Sequence, residues 1–280
     1  MGKDIVSLKA LCGDNFQVNT ASWPLNEALS ADGFLETTPL QGKISCDVCI
    51  VGGGYTGLWT AILLKQSRPE LQIAVIEQEV CGYGASGSNG GCVLTLATKF
   101  LSLEKLYGTE EALRLVKASE KAVNDMATFC QQHQIDCELR LDGTFYIATN
   151  KAQVGVMTPV LKQLENLGIS SWSELDLAKA GNFSGTKVID QAHFSDKGGS
   201  VHPAKLVHGL RRVALELGVD IFEKTPMTNL LETDPPLVKT PQGSIQAKKV
   251  VLAVNAWMAS RFKQFSRTMA VVSSDMCVTE

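Results

Sequence analysis

Several kinds of sequence signal are missing from this chain, and each absence argues against a class of protein. It has no basic block, and 26 Lys and Arg residues against 29 Asp and Glu residues give a net charge of −3, so nucleic acid is not expected as a partner. Eight cysteines in 280 residues are too dilute for a disulfide scaffold. The first residues contain no apolar run of signal-peptide length, and Val6 stands where a myristoylation signal requires Ser or Thr. We therefore expect a reducing, cytoplasmic setting.

Patterns of metal binding and nucleophilic catalysis are also absent. His133, His193 and His208 have no metal-ligand spacing with one another or with cysteine, so no metal site is predicted. No Ser/His/Asp arrangement stands out, and the sequence leaves the catalytic residues and the oligomeric state unassigned. Cys46 and Cys49 form a C-x-x-C pair, but residues three apart in a strand should face opposite sides, which favours two structural thiols.

One uncharged run, residues 48–64, is at the lower limit of the length that crosses a bilayer. It contains a cluster of glycines, which predicts a turn inside the run rather than a membrane span. The pattern indicates a buried strand at Cys46–Val51, a turn, a helix at Leu58–Gln66 and a second buried strand at Leu71–Glu77. Two apolar strands joined by a helix form a βαβ unit with parallel pairing.

The turn has the sequence Gly52-Gly53-Gly54-Tyr55-Thr56-Gly57, which fits G-x-G-x-x-G. In such a loop the first glycine allows the tight turn, the second lets a diphosphate approach the backbone, and the third lets the helix pack closely on the strand. Free N–H groups and the helix dipole favour an anion there. Glu77 follows Gly57 by about 20 residues, as expected for an acid that binds ribose hydroxyls. The context predicts a dinucleotide site.

The identity of the dinucleotide needs more than the first loop. A carboxylate at Glu77 would repel the 2′-phosphate of NADP, whereas NAD and FAD remain open. A second glycine-rich stretch, residues 81–91, favours the longer flavin dinucleotide, which needs backbone contacts beyond the first loop.

Later segments follow clear periodicities. We expect a long helix over residues 109–133, a hairpin over 138–149 with its turn at Asp142-Gly143, and an amphipathic helix over 204–217 with Pro203 in its first turn. A buried strand, Lys249–Val254, then leads into Asn255-Ala256-Trp257.

Four blocks together resemble the FAD-dependent oxidoreductases of the D-amino-acid oxidase superfamily, and within it the γ-glutamylputrescine oxidase-like branch. They cover roughly residues 40–280, and they are Asp47–Gly57, Gly84–Gly91, Gly198–Pro203 and Val250–Trp257. The resemblance implies an α/β (α+β overall) fold in which a Rossmann-type FAD domain is interrupted by a mixed-sheet substrate domain. Members of the family are longer than this chain, so the resemblance also implies that a C-terminal part is lacking.

The resemblance implies a division of the chain and a set of cofactor contacts. Residues 1–44 would form an N-terminal arm, 45–100 and 186–260 the discontinuous FAD-binding domain, and 101–185 with 261–280 a helical segment and partial substrate domain. The implied FAD-binding residues are Gly52, Gly54, Tyr55, Thr56, Gly57, Glu77, Gln78, Gly84, Ala85, Ser86, Asn89, Gly90, Gly91, Met227, Ala253, Asn255 and Trp257.

The implied reaction takes a hydride from the carbon bearing the nitrogen of a small-molecule amine or amino acid to the flavin, and water hydrolyses the imine. Two alternatives remain at this point. One is a catalytically silent chain that keeps the fold without the activity, and the other is an NAD-dependent dehydrogenase.

Overall fold

The computed structural model describes residues 36–169 and 171–272. Its helices are α1 (Tyr55–Ser67), α2 (Phe100–Tyr107), α3 (Thr109–Gln132), α4 (Thr158–Asn166), α5 (Leu177–Ser184), α6 (Pro203–Glu216) and α7 (Trp257–Arg261). Its strands are β1 (Gly42–Val51), β2 (Ile73–Ile76), β3 (Cys92–Val93), β4 (Thr144–Ala148), β5 (Ser173–Glu174), β6 (Gln191–Ser195), β7 (Gly199–Ser200), β8 (Asp220–Phe222), β9 (Asn229–Leu231), β10 (Leu237–Lys239) and β11 (Gly243–Leu252).

The largest sheet has six strands in the order β8-β2-β1-β11-β10-β9. The four strands β8, β2, β1 and β11 pair in parallel, and β10 and β9 add an antiparallel edge. The βαβ unit predicted from the uncharged run is therefore present, as β1, α1 and β2. Strand β1 begins at Gly42, inside the arm predicted for residues 1–44, and residues 1–35 of that arm lie outside the described residues.

Apolar cores cover both faces of this sheet. On one face, α1 and α6 pack together, and Leu58, Ile62 and Leu210 are fully buried against Ile50 and Val75. Each such side chain contributes about 1.5–3 kcal/mol when it leaves water. The other face carries a separate cluster that includes Leu40, Val51, Ile76, Val238 and Ile245. Two covered faces explain why β1 and β2 are almost continuously apolar in sequence.

The expectation that Cys46 and Cys49 face opposite sides is wrong. Both contact the same apolar cluster, because the alternation of buried side chains along β1 reverses at Asp47. There the backbone N–H groups of Asp47 and Val48 both donate to the carbonyl of Gln72. Both thiols are free, and burial raises the pKa of Cys46 to about 11 and that of Cys49 to about 12, as expected of structural thiols.

A three-stranded antiparallel sheet, β4-β6-β5, lies beside a helical cluster formed by α2, α3 and α4. The hairpin predicted over residues 138–149 is wrong. Strand β4 pairs with β6 instead, while Arg140 forms a bridge with Ser200 and the Gly143 N–H donates to the Gly198 carbonyl at 3.0 Å. Asp142-Gly143 therefore turns the chain between two sheets rather than between two paired strands.

The predicted fold class is confirmed: a mixed α/β arrangement in which the first parallel unit is followed by a second, smaller sheet before the chain returns to β8 and β11. The boundaries assigned to the FAD-binding and substrate parts stay a prediction. Within residues 36–169 and 171–272, no helix has both the length and the apolar character needed to cross a bilayer.

Candidate functional site

A cavity of about 520 Å³ opens where the parallel strands of the large sheet end. Val51, Ile76 and Leu252 line it, and they lie at or next to the carboxyl ends of β1, β2 and β11. In open α/β sheets ligands bind in the crevice outside these strand ends, because the loops there diverge to opposite faces of the sheet. The fold therefore places this cavity at the position where a ligand is expected.

The N-terminus of α1 faces the cavity through Gly54, Tyr55 and Thr56. The first N–H groups of a helix have no partner within the helix, and they carry partial positive charge. The hydroxyl of Ser86 accepts a hydrogen bond from the Tyr55 N–H at 3.0 Å. Ser86 belongs to the second glycine-rich stretch, so this contact joins the two glycine loops at the wall of the cavity.

The glycines of the first loop permit very close backbone packing. Gly52 has a positive φ of 113°, and a Cβ atom there would lie 2.4 Å from the Ala253 carbonyl oxygen. A Cβ atom on Gly57 would lie 1.9 Å from the Gly52 carbonyl oxygen. Gly57 therefore lets α1 pack directly on the end of β1, as the spacing of the motif predicts, and it does so from a buried position outside the cavity wall.

Glu77 follows β2 and presents a half-buried carboxylate to the cavity. Its Oε2 accepts from the Gly53 N–H at 2.8 Å, and its Oε1 accepts from the Glu79 N–H at 3.0 Å. Burial raises the pKa of Glu77, although these backbone hydrogen bonds favour the ionised form. Each carboxylate oxygen can accept more than one hydrogen bond, so Glu77 can also accept hydrogen bonds from the hydroxyls of a ligand.

The structure brings most of the predicted site residues together. Thirteen of them line this single cavity: Gly52, Gly54, Tyr55, Thr56, Glu77, Gln78, Gly84, Ala85, Ser86, Met227, Ala253, Asn255 and Trp257. The other four, Gly57, Asn89, Gly90 and Gly91, do not line it.

Asn89 has a bracing position in the second glycine-rich stretch. Its side-chain amide donates to the carbonyls of Ala85 and Ser86 at 3.0 and 3.1 Å, and its side-chain oxygen accepts from the Gly91 N–H at 2.8 Å. Gly91 has a φ of 69°, and a Cβ atom there would lie 2.0 Å from the Val201 carbonyl oxygen. These two residues shape the loop that carries Ser86.

Several lining residues were not predicted from the sequence: Glu79, Gly82, Tyr83, Thr225, Met258, Arg261 and Met269. Thr225 lies in a loop near Met227, and its N–H donates to the Glu77 carbonyl at 2.7 Å. Arg261, at the end of α7, also lines the cavity. Gly82 and Tyr83 belong to the second glycine-rich stretch, whereas no spacing rule marks Thr225, Met258, Arg261 and Met269, which come to the cavity from later parts of the chain.

Behind the cavity lies a buried ion pair between Arg211 on α6 and Glu223, which follows β8. The guanidinium contacts both carboxylate oxygens, at 3.0 and 2.7 Å. Glu223 also accepts from the Cys81 N–H at 2.8 Å and from the Thr37 hydroxyl at 2.7 Å. One carboxylate thus connects four segments of the chain, including the start of the second glycine-rich stretch.

The described part of the chain contains no group of three or more His, Cys, Asp or Glu side chains placed to hold a metal ion. A family model described as FAD dependent oxidoreductase (DAO) matches residues 47–280. The chain belongs to this family. The match covers the glycine loops, Glu77 and the strands whose ends form the cavity.

Curated relatives agree with this assignment. The chain is 30% identical over 235 residues to "Gamma-glutamylputrescine oxidoreductase" of Escherichia coli (strain K12), which covers 84% of this chain and 54% of the relative. It is 34% identical over 229 residues to "Glycine oxidase" of Bacillus subtilis (strain 168), with 78% of this chain and 56% of the relative covered. The chain thus spans about half the length of these curated relatives.

Solved structures show the same fold. Glycine oxidase from Geobacillus kaustophilus matches with a TM-score of 0.64 and 22% identity over 77% of this chain and 56% of that chain. L-Amino acid deaminase from Proteus myxofaciens, solved in complex with anthranilate, matches with a TM-score of 0.67 and 19% identity over 83% of this chain and 51% of that chain.

The residues around the cavity fit a flavin dinucleotide, the cofactor of the family. Gly52, Gly54 and Gly84 leave backbone rather than side chains at the wall, the α1 N-terminus suits a diphosphate, and Glu77 suits a ribose. The wall also continues past the first loop, along residues 82–86 and 252–258, which gives a second half of the ligand a place to lie.

Proposed function

We propose that this chain binds FAD in the cavity at the strand ends and takes part in the oxidation of a carbon–nitrogen bond in an amine or amino acid. The single observation that carries the proposal is the gathering of both glycine loops, Glu77 and the Asn255–Trp257 turn around one cavity. Relatives named for γ-glutamylputrescine and glycine support a nitrogen-bearing substrate.

The chain's own residues would act mainly by binding and orienting. The N–H groups at the start of α1 would hold the diphosphate, and Glu77 would accept hydrogen bonds from the adenosine ribose. Met227, which also lines the cavity, would lie against the adenine, and Ala85 and Ser86 would lie along the flavin. FAD, when bound, supplies the acceptor for the hydride that leaves the substrate carbon. No catalytic residue is assigned.

The first experiment measures the binding of FAD to the full chain. We expect flavin absorption bands in the purified protein or after reconstitution, and saturable quenching of flavin fluorescence on titration. A colourless protein that neither FAD nor NAD stabilises against heat would overturn the proposal. Stabilisation by NAD but not by FAD would replace it with the dehydrogenase alternative.

A matched pair of variants tests the position of the ribose. Glu77→Ala removes a charge-assisted acceptor and should weaken FAD binding about ten- to a hundredfold, as the loss of about 1.5–3 kcal/mol predicts. Glu79→Ala removes the same charge from an exposed position on the same cavity wall, and it should leave the affinity unchanged or raise it. Equal effects of the two substitutions would refute the role of Glu77.

The substrate class is tested on the FAD-loaded chain in the absence of oxygen. Polyamines and their acylated forms, glycine and larger amino acids are added in turn, and the loss of the flavin band is followed. 2-Hydroxy acids serve as the contrasting set. Bleaching by 2-hydroxy acids alone would refute carbon–nitrogen oxidation while leaving the FAD site in place.

A further inference from the structure

Two buried thiols lie side by side outside the cavity. Cys130 is in the last turn of α3 and Cys137 is in the loop that follows, and their Sγ atoms are 3.8 Å apart. The side chains are 4% and 1% exposed, respectively, and both cysteines are free.

The backbone between the thiols brings them together. The Ile135 N–H donates to the Cys130 carbonyl at 2.8 Å, and the Cys137 N–H donates to the Ile135 carbonyl at 3.1 Å. Gln134 and Glu138 both have a positive φ, near 50°, so the chain turns sharply at two points. Gly209 of α6 leaves the space that the Ile135 side chain occupies. The pairing of the thiols is therefore built into the packing of this loop.

A groove of about 490 Å³ reaches the pair from the surface. Both cysteines line it, together with Ala127 and Gln131 of α3 and residues 134–136, 138 and 139 of the following loop. The two cysteines therefore lie at the wall of a groove that a small oxidant such as a peroxide can enter.

We propose that Cys130 and Cys137 are a redox-active dithiol that a peroxide converts reversibly into an intramolecular disulfide. An S–S bond is about 2.05 Å long, so the sulfur atoms must approach by about 1.8 Å, a distance that side-chain rotation and a small shift of the loop supply. The modification would tie the loop to the end of α3. The loop in turn contacts α6, because the His202 N–H donates to the Cys137 carbonyl at 2.8 Å.

The electrostatics of the pair give the two thiols different roles. The hydrogen bond between them lowers the pKa of Cys137 and raises that of Cys130. At 3.8 Å either sulfur can be hydrogen-bonded by the thiol of the other, so one cysteine attacks and its neighbour resolves, and the lowered pKa of Cys137 favours Cys137 as the attacking thiol.

The chemistry balances with hydrogen peroxide as the oxidant. The Cys137 thiolate attacks one peroxide oxygen, the O–O bond breaks, and the departing hydroxide takes a proton to become water, which leaves a sulfenic acid. The Cys130 sulfur then attacks the Cys137 sulfur, the S–O bond breaks, and a second water leaves. Two thiols are oxidised by two electrons, and one peroxide is reduced to two waters.

The test treats the full native chain with graded peroxide, then unfolds and alkylates it, and maps its peptides. Both cysteines fall in one tryptic peptide, residues 122–140, because trypsin cuts after Lys121 and Arg140. We expect this peptide to lose two hydrogen atoms and both alkylation sites, and dithiothreitol to restore them. Cys49, buried elsewhere, should stay reduced under the same treatment, and exposed Cys92 is the marker of general oxidation.

Two variants assign the roles. With Cys130→Ser, a sulfenic acid should accumulate at Cys137 and react with dimedone once the chain is unfolded, and with Cys137→Ser, Cys130 should stay reduced. The reverse pattern would overturn the assignment of the attacking thiol. If Cys130 and Cys137 remain fully alkylatable while Cys92 is oxidised, or pair only in urea, the proposal is wrong. The wild-type peptide map tests disulfide formation directly, so the proposal can be decided even if a variant fails to fold.

Discussion

Replacing Glu223 with glutamine tests how the chain keeps a charged pair in its interior. Arg211 and Glu223 are each 3% exposed, so neither charge is solvated by water. Glu223→Gln keeps the shape of the side chain but removes the negative charge that contacts the guanidinium at 2.7 and 3.0 Å. Removing one partner of a buried pair costs about 3–5 kcal/mol, because the remaining charge stays desolvated. That is a large share of the 5–15 kcal/mol by which domains are typically stable.

The assay is urea unfolding of the wild type and the variant, followed by tryptophan fluorescence. The matched control is Glu111→Gln, which breaks a surface pair with Arg114 whose side chains are 41% and 64% exposed. Exposed pairs contribute about 0–1 kcal/mol, so this control should unfold almost as the wild type does. If Glu223→Gln lowers the free energy of unfolding by as little as Glu111→Gln does, the reasoning is refuted.

The pH dependence of the same pair has a definite sign. Burial alone would raise the pKa of Glu223, but the hydrogen bonds from Arg211, the Cys81 N–H and Thr37 outweigh it and lower the pKa below its ordinary value of 4.5. The stabilisation by Glu223 is therefore complete above pH 4.5 and is lost as the pH falls through the lower pKa of the folded chain. The difference in the free energy of unfolding between the wild type and Glu223→Gln should therefore shrink only in that acidic range.

Two further predictions concern the first glycine loop. Gly57→Ala should lower the melting temperature and weaken FAD binding, because its Cβ atom would lie 1.9 Å from a backbone oxygen. The control, Gly84→Ala, should fold normally, because its Cβ atom would lie 3.6 Å from the Trp257 side chain, an ordinary contact distance. Comparable melting curves for the two variants would contradict this packing argument. Tyr55→Phe should cost about 1 kcal/mol in urea unfolding, since the Tyr55 hydroxyl donates to the Pro203 carbonyl at 2.9 Å. An unchanged free energy of unfolding would show that this hydrogen bond contributes nothing.

Local patterns predicted the first part of the fold well. The strand, glycine turn and helix at the start of the βαβ unit, and the position of Glu77, follow from signals within a short stretch of chain. Helix α3 was also predicted within a residue of its observed ends, because its apolar periodicity extends over many turns.

Pairing between distant segments could not be predicted in the same way. The pattern around Asp142-Gly143 resembles a hairpin, but the partner of β4 is β6, more than 40 residues further along the chain. The reversal of faces in β1 also escaped prediction, because it depends on how Asp47 and Val48 meet the loop carbonyl of Gln72. Among the site residues, Gly57 was named as a cofactor contact, but it packs behind the cavity wall that Gly54 lines, in the helix-packing position of the motif.

The topology of the large sheet has a consequence for synthesis of the chain. Strand β1 meets β2 soon after both have been made, since Val48 pairs with Ile73, but its other edge pairs with β11, where Gly42 lies beside Gly243. A ribosome that delivers residues in order therefore leaves one edge of the apolar strand Cys49–Val51 without its native partner for about 200 residues of elongation. Unpaired apolar edges are where nascent chains associate wrongly. Strand β1, in the middle of the sheet, therefore needs protection at this edge until β11 has been made.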